Sequence, residues 1–162
     1  MKKIILMRHA KSSWKYDVGD QFRPLKKVGV AKTIKVADRL QKIMRFTPVS
    51  MYSSPAKRAF DTATIFVENF HADLPPLEVV DDLYDFGGAQ LIHFIKHLAS
   101  DVNSIMIFGH NNAFTNFVNS FGSISIDNVP TSGLVIIEFD ISDWKSLKKG
   151  KTILTLFPSD CE

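Results

Sequence analysis

The first ten residues of the chain constrain its fold more than any other stretch. Two lysines precede the apolar run Ile4-Ile5-Leu6-Met7, and Arg8 and His9 follow it directly. A short, unbroken apolar run is typical of a central strand of a parallel sheet, which is buried on both faces. Arg8 and His9 would then lie at the carboxyl end of the strand, where open α/β sheets bind ligands. The run is too short for a secretion signal, which needs about seven apolar residues or more. By itself the pair is weak evidence, because a strand can end in basic residues by chance.

Composition sets the broad class of the protein. With 162 residues the chain has room for one domain and too few residues for two ordinary ones, so we expect a single domain over residues 1–162. The net charge of +3 suits an anionic ligand, but it is too small and dispersed for nucleic-acid binding. The single cysteine, Cys161, excludes an internal disulfide and a zinc-thiolate site and favours a cytoplasmic setting. No apolar stretch approaches the roughly 18 residues of a membrane span, so we expect no membrane insertion.

A polar loop, residues 12–25, leads off the first strand. Lys11, Trp14 and Arg23 are candidates for lining the cleft at the end of that strand, and the alternative is a solvated surface loop. Pro24 holds the backbone of Arg23 extended, so Arg23 is the best placed of the three.

The rest of the chain alternates helical and strand patterns. An amphipathic helix is predicted from Lys27 to Met44, closed by Phe46-Thr47-Pro48, with a buried stripe of Val30, Ile34, Ala37, Leu40 and Met44. A further helix is predicted over about 89–100. Strands are predicted over 49–52, 77–80, 104–109, 134–139 and 152–157, the last two pairing antiparallel at one side of the sheet.

Ser54 and Pro55 predict the start of another helix, because Ser is a favoured N-cap and Pro a favoured first helical residue. Arg58 then lies in the first turn, where a cation is unfavourable beside the positive end of the helix dipole. A bound anion there would be favoured by both the arginine and the free backbone N–H groups. We therefore predict that Arg58 binds an anion rather than serving as a surface residue.

A second predicted strand also leads directly to a histidine. The apolar run of residues 105–108 is followed by Gly109 and His110, as the first apolar run is followed by Arg8 and His9. A lone histidine after a strand is more often structural than catalytic. Two strands that each deliver a histidine to the same edge of a sheet instead indicate one cleft.

The acidic segment after the third predicted strand contains Asp81, Asp82 and Asp85. Such a cluster can bind a metal or donate a proton, although acidic loops are usually solvated surface. His93 and His97 share one helix face, but His93 lacks the following Glu of a zinc protease motif. We predict no metal site.

Arg8, His9, Arg58 and His110 together would form a pocket with two permanent cations and two imidazoles. Such a pocket suits phosphate, because positioned positive charge stabilises the transition state of phosphoryl transfer. The set resembles the histidine phosphatase superfamily, which includes the phosphoglycerate mutases, and more closely the small bacterial SixA-like phosphohistidine phosphatases. The resemblance spans nearly the whole chain and rests on residues 6–14, Arg23-Pro24-Leu25, Ser53-Ser54-Pro55 with Arg58 and Thr62-Ala63, Leu83-Tyr84-Asp85, Gly109-His110-Asn111 and Pro130-Thr131.

The resemblance implies a three-layer α/β/α sandwich with a mostly parallel central sheet, phosphoglycerate mutase-like, without the insertions that cap the cleft in larger relatives. It implies that His9 is the nucleophile and forms a phosphohistidine intermediate, while Arg8, Arg58 and His110 hold phosphate oxygens. An imidazole attacks only through its unprotonated nitrogen, so the other nitrogen of His9 needs a carbonyl partner that fixes the tautomer. We expect His110 to be protonated beside a phosphate dianion.

Two further residues take expected roles from the resemblance. Arg23 is expected to contact phosphate or substrate, and Asp85 stands nearest the carboxylate that protonates the leaving group in many relatives. Asp85 is one methylene shorter than the usual Glu, and Ala10 replaces the glycine common after the Arg-His pair.

Three functional interpretations follow. The leading one is a metal-independent phosphatase without a cofactor that acts on protein phosphohistidine. The second is a phosphomonoesterase for small phosphorylated metabolites; a mutase is less favoured, because re-presenting an intermediate favours an enclosed site. The third is a phosphate-binding or phosphoprotein-binding module without turnover, which His9 disfavours because a pure binder needs no nucleophile.

Overall fold

The computed structural model describes residues 1–45 and 47–162. Phe46, which we predicted in the segment that closes the first helix, lies outside the described residues. The strands are β1 (Lys2–Arg8), β2 (Ser50–Ser53), β3 (Leu77–Val79), β4 (Ser104–Gly109), β5 (Leu134–Phe139) and β6 (Lys151–Leu156). The α-helices are α1 (Lys27–Ile43), α2 (Lys57–Asn69), α3 (Ala89–Lys96) and α4 (Ala113–Phe121). Among the described residues, no helix has the length and apolar character needed to cross a membrane.

The strands form one six-stranded sheet in the order β3-β2-β4-β1-β5-β6. Strands β1 to β4 run parallel to their neighbours within this group, while β5 is antiparallel to both β1 and β6. The predicted, mostly parallel sheet with an antiparallel pair at one side is therefore confirmed. Arg8 pairs with Gly109 in the register of β1 and β4, so the histidines that follow each strand emerge at the same edge.

Helices cover both faces of the sheet and make a three-layer sandwich. Alternate residues of a strand point to opposite faces, and β1 shows this directly. Leu6 belongs to the apolar cluster that contains Phe117 of α4. Met7 belongs to the cluster on the other face, with Val36 of α1 and Phe66 of α2. The central strand is thus buried on both sides, as its unbroken apolar run predicted.

The predicted buried stripe of α1 is partly wrong. Ile34 is 38% exposed, whereas Thr33 and Val36 are fully buried. Thr33 tolerates burial because its hydroxyl donates to the carbonyl of Gly29 at 3.0 Å and pairs with the Ser132 hydroxyl at 2.9 Å. A hydroxyl that forms hydrogen bonds costs little to bury. The buried face of α1 is therefore shifted by about one residue from the face that the apolar pattern predicted.

The predicted start of α2 is also wrong. The helix begins at Lys57 with Ala56 as its N-cap, not at Pro55 with Ser54 as the cap. The Ser54 hydroxyl accepts a hydrogen bond from the Ala56 backbone N–H at 3.2 Å and pairs with Nε2 of His110 at 2.8 Å. Ser54 therefore belongs to the cleft described below.

Candidate active site

A cleft of about 380 Å³ opens at the carboxyl ends of β1 and β4. It receives side chains from β1, from the following loop, from the first turn of α2 and from the segments after β3 and β4. Its lining consists of Arg8, His9, Lys11, Ser12, Trp14, Asp20, Arg23, Lys26, Arg58, Phe86, Asn111 and Thr131. His110 lies behind this lining, with its ring centroid 5.4 Å from that of His9. The structure thus brings together Arg8, His9, Arg23, Arg58 and His110, five of the six residues proposed from the sequence.

His9 has the geometry of a neutral imidazole with a fixed tautomer. Its Nδ1 lies 2.7 Å from the carbonyl oxygen of Ala10. A carbonyl only accepts hydrogen bonds, so Nδ1 carries the proton and Nε2 keeps its lone pair. Burial, together with the nearby charges of Arg58 and Arg8, lowers the pKa of His9 to about 4 against the opposing effect of the Ala10 hydrogen bond. The ring is therefore uncharged at neutral pH, with its proton on Nδ1 and its lone pair on Nε2.

The peptide that holds His9 is itself held by α2. The Ala10 N–H donates to the Thr62 hydroxyl at 2.8 Å, and that hydroxyl donates to the carbonyl of Arg58 at 2.6 Å. On the other side, the Ser132 N–H donates to the carbonyls of Arg8 and His9. His9 and Arg58 come from distant segments, but this network fixes them relative to each other.

Helix α1 supports the same segment through a close backbone approach at Gly29. A Cβ atom at that position would lie 2.7 Å from the carbonyl oxygen and 2.8 Å from the nitrogen of Lys11. Only glycine allows α1 to pack this closely against the chain that follows His9.

The two arginines, half-buried Arg8 and buried Arg58, are cations with unused hydrogen-bonding capacity. Arg8 donates from Nη1 to the carbonyl of Val129 at 2.9 Å, and burial lowers its pKa. Arg58 is 2% exposed. Within the described part of the chain, the buried side-chain nitrogen or oxygen atoms without a hydrogen-bond partner are three: Nε of Arg8, Nε of Arg58 and Nδ1 of His110. An unpaired buried polar atom costs about 1–3 kcal/mol, and all three belong to this one site.

His110 is neutral in the free protein. Burial, together with the proximity of His9 and Arg58, lowers its pKa to about 3. The rings of Tyr84 and Phe86 pack beside it, with centroids at 5.5 and 4.8 Å. We expected a protonated His110 beside a phosphate dianion. Burial favours the uncharged ring in the protein itself, and protonation of His110 beside a phosphate dianion stays a prediction.

Asp20, which the sequence analysis did not single out, occupies the mouth of the cleft. Its carboxylate accepts from Nη2 of Arg58 at 2.9 Å, from Nε of Arg23 at 3.1 Å and from the Tyr84 hydroxyl at 2.5 Å. Partial burial raises the pKa of Asp20, but the hydrogen bonds from Tyr84, Arg58 and Arg23 outweigh this effect and lower it to about 2. An ionised carboxylate therefore contacts two of the arginines expected to bind phosphate.

Arg23 is held at the cleft by its own loop. Its Nη1 donates to the Ser12 hydroxyl at 2.7 Å, and its guanidinium lies 3.6 Å from the centroid of the Trp14 ring. The loop closes on itself through a bridge between Ser12 and Leu25. The expected placement of Trp14 and Arg23 in the cleft therefore matches the structure.

Asp85 differs from the other proposed residues, because it is not among the described residues that line the cleft. Its carboxylate accepts hydrogen bonds from the backbone N–H groups of Gly87, Gly88 and Leu91 at the start of α3. The flanking Tyr84 and Phe86 pack against His110, whereas Asp85 caps a helix. Its role as the leaving-group acid stays a prediction.

No group of three or more His, Cys, Asp or Glu residues is arranged to hold a metal ion in the part of the chain that the structure describes. The donors around the cleft are mainly arginine and imidazole nitrogens, which suit an anion better than a cation.

A family model described as the histidine phosphatase superfamily (branch 1) matches residues 4–91, more than half of the chain. The chain belongs to this superfamily. The matched range contains Arg8, His9 and Arg58, while His110 lies beyond it. The name of this superfamily agrees with the arginine-rich lining of the cleft.

Solved structures share the fold over almost their whole length. One is a protein provisionally named phosphohistidine phosphatase SixA from Agrobacterium tumefaciens (TM-score 0.78, 23% identity, 96% of this chain and 97% of that chain). Another is the protein histidine phosphatase SixA in complex with tungstate (TM-score 0.76, 20% identity, 99% of both chains). A third is a mycobacterial glucosyl-3-phosphoglycerate phosphatase (TM-score 0.68, 12% identity, 95% of this chain and 98% of that chain). A comparison with curated proteins found no match. The likeness confirms the phosphoglycerate mutase-like fold predicted for this superfamily member.

Proposed function

We propose that this member of the superfamily is a metal-independent phosphatase that acts on protein phosphohistidine and passes the phosphoryl group through His9. The observation that carries the proposal is the hydrogen bond between Nδ1 of His9 and the Ala10 carbonyl, which leaves Nε2 unprotonated. Arg8 and Arg58 line the same cleft. A neutral imidazole nitrogen beside these two cations suits nucleophilic attack on a phosphoryl group.

In the first step, the Nε2 lone pair of His9 attacks phosphorus as the P–N bond of the substrate breaks. The electron pair of that bond returns to the substrate imidazole, whose ring takes a proton from water. Arg8, Arg58 and His110 hold the three phosphoryl oxygens, and Arg23 contacts the phosphate or the substrate. The three buried nitrogens without a hydrogen-bond partner, Nε of Arg8, Nε of Arg58 and Nδ1 of His110, belong to these same side chains.

In the second step, a water oxygen bonds to phosphorus and the Nε2–P bond of His9 breaks. The electron pair returns to Nε2, and the product leaves as dihydrogen phosphate, which loses a proton to solvent. The Ala10 carbonyl keeps the Nδ1 proton in place throughout, so the ring is ready for another cycle.

The leaving group favours phosphohistidine as the substrate. Transfer from one imidazole to another exchanges P–N bonds of similar energy, whereas an alkoxide leaving group needs a strong general acid. Asp85 is the proposed acid, yet its carboxylate accepts three backbone hydrogen bonds at the start of α3. The two solved SixA structures carry names that agree with this substrate class.

The second candidate is a phosphomonoesterase that acts on a small metabolite. Its support is the likeness to a glucosyl-3-phosphoglycerate phosphatase. Both candidates share the His9 chemistry and differ only in the group that leaves.

The proposal requires no metal ion, because Arg8, Arg58 and His110 supply the charge and hydrogen bonds that Mg²⁺ supplies in other phosphoryl-transfer enzymes. We therefore expect a chelator to leave the rate unchanged and vanadate to inhibit. Dependence on an added divalent cation would contradict this part of the proposal.

The experiment that tests the function is a substrate panel. Release of inorganic phosphate is measured for p-nitrophenyl phosphate, a phosphohistidine protein, a phosphoserine peptide and several sugar phosphates. We expect kcat/KM to be highest for the phosphohistidine protein. A higher value for a sugar phosphate would favour the second candidate, and no turnover of any substrate would refute both.

A further inference from the structure

A second groove adjoins the cleft on the loop that follows β1. Its volume is about 680 Å³, and its walls include Trp14, Lys15, Tyr16, Leu25, Lys26 and Lys27. Trp14 and Lys26 also line the cleft, so the two cavities meet at these side chains. We call this cavity the docking groove.

Large aromatic side chains stand exposed in and near the docking groove. Trp14 is 76% exposed although it stacks on Arg23, and Tyr16 and Phe22 are also mostly solvent-accessible. Clustered exposed apolar side chains are characteristic of interaction sites, and aromatic residues are enriched at protein interfaces. The groove therefore offers an apolar contact surface next to the phosphate site.

The charge around the docking groove is positive. Lys11, Lys15, Lys26 and Lys27 are all exposed. None of the four forms an ion pair among the residues that the structure describes. The neighbouring Asp20 does not neutralise them, because its carboxylate pairs with Arg58 and Arg23. An occupant that complements this surface carries carboxylates and at least one apolar side chain.

We propose that the docking groove binds an acidic segment of the phosphorylated protein, beside the phosphohistidine held in the cleft. The inference rests on the proposed function and extends it by naming the surface that distinguishes a protein substrate from a small one. A phosphorylated side chain enters the cleft at His9, and the residues next to it along the substrate chain contact the groove past Trp14. A metabolite that fills only the cleft makes no contact with Lys15 or Lys27.

The test compares three substrates. Two synthetic peptides each carry one phosphohistidine, flanked in one by Glu and Leu and in the other by Lys and Leu; p-nitrophenyl phosphate is the small substrate. The double variant Lys15→Glu with Lys27→Glu reverses two charges that line the groove but not the cleft. Lys27 is the first residue of α1, where a glutamate suits the helix dipole, so the variant should fold.

The matched control is Lys148→Glu with Lys149→Glu, which reverses two exposed lysines in the connection between β5 and β6. The pairing of Lys2 with Phe139 places this connection at the opposite end of the sheet from His9. The control therefore changes the net charge equally without touching the groove.

We expect the wild type to prefer the acidic peptide over the basic one. The groove variant should lose about tenfold in kcat/KM on the acidic peptide, as expected for reversed charges at an interface rim. Its rate on p-nitrophenyl phosphate, and every rate of the control, should change less than about twofold.

Equal rates of wild type and groove variant on the acidic peptide would overturn the inference, as would equal losses on p-nitrophenyl phosphate. With a sugar bisphosphate as an additional substrate, a loss confined to that compound would assign the groove to a second phosphate group and would also overturn the inference. Absence of turnover on every substrate would refute the proposed function instead. In that event, fluorescence anisotropy of the two labelled peptides tests the groove separately, and equal binding of both peptides would overturn the inference.

Discussion

Asp20 accepts hydrogen bonds from Arg58 and Arg23, two of the arginines proposed to bind phosphate, so the variant Asp20→Asn should bind anions more tightly. The change replaces a carboxylate by an amide of nearly the same shape. Arg58 should stay in position, because it is 2% exposed and also donates to the backbone carbonyl of Asp20 at 2.7 Å. The variant thus removes a negative charge while leaving the guanidinium in place.

The size of the effect follows from the distance to the bound anion. A phosphate oxygen that accepts from Nη2 of Arg58 would lie about 5 Å from the Asp20 carboxylate. Two unit charges at that distance repel by about 3 kcal/mol at an effective dielectric constant of about 20, and by about 0.8 kcal/mol in water. The side chain of Asp20 is 40% exposed, so solvent screening favours the lower part of that range. We expect about 1–2 kcal/mol, or roughly five- to thirtyfold tighter binding.

The assay measures inhibition of p-nitrophenyl phosphate hydrolysis by inorganic phosphate and by vanadate. The matched control is Asp17→Asn, which removes an exposed carboxylate from the same loop. The difference between wild type and Asp20→Asn should shrink at high salt, because salt screens exposed charges. Unchanged or weaker inhibition in Asp20→Asn would refute the reasoning and would make Asp20 a positioning residue for the arginines.

Three further predictions concern the site and its supports. Buried His9 and His110 have pKa values below the value of about 6.5 for an unfolded imidazole. Between about pH 6.5 and about pH 4, the unfolded state therefore binds more protons than the folded state. Their contribution to stability is complete above about pH 6.5 and is lost as the pH falls toward about 4. In urea titrations, the free energy of unfolding should fall by about 2 kcal/mol less between about pH 8 and pH 5 in His9→Gln than in wild type. Gly29→Ala should destabilise by about 1–3 kcal/mol, because its Cβ overlaps the Lys11 backbone, and a thermal midpoint equal to that of wild type would contradict this. If Asp85 is the general acid, Asp85→Asn should lower the rate of hydrolysis roughly 10²-fold or more for an alkyl phosphate, but under about tenfold for a phosphohistidine protein. Equal large losses on both substrates would assign Asp85 another role.

Much of the site could be predicted from short sequence patterns. The apolar runs before Arg8-His9 and before His110 each predict a buried strand, and parallel strands deliver their carboxyl ends to one edge of a sheet. The pairing of Arg8 with Gly109 in parallel β1 and β4 places His9 and His110 at the same edge, as predicted. The first-turn position of Arg58 was also predictable from the sequence, although the helix begins two residues later than predicted.

Other features depend on contacts that local patterns do not contain. Ser54 matched the pattern of an N-cap, but its hydroxyl pairs with His110, 56 residues away. Asp20 looked like an ordinary loop carboxylate, and its partners Arg58 and Tyr84 lie 38 and 64 residues further along the chain. Thr33 lies outside the predicted apolar stripe of α1, yet it is buried and its hydroxyl pairs with the Ser132 hydroxyl, 99 residues away.

The measurement that tests the central claim most directly is the identification of the phosphorylated residue during turnover. A rapidly quenched reaction with a ³²P-labelled substrate should yield a protein label that is stable in base and labile in acid. Peptide mapping should place this label on His9. The variant His9→Ala should keep the fold, since the ring lies at a strand end outside the packed core, and should show neither label nor turnover. A label on another residue, or full activity in His9→Ala, would contradict the covalent mechanism.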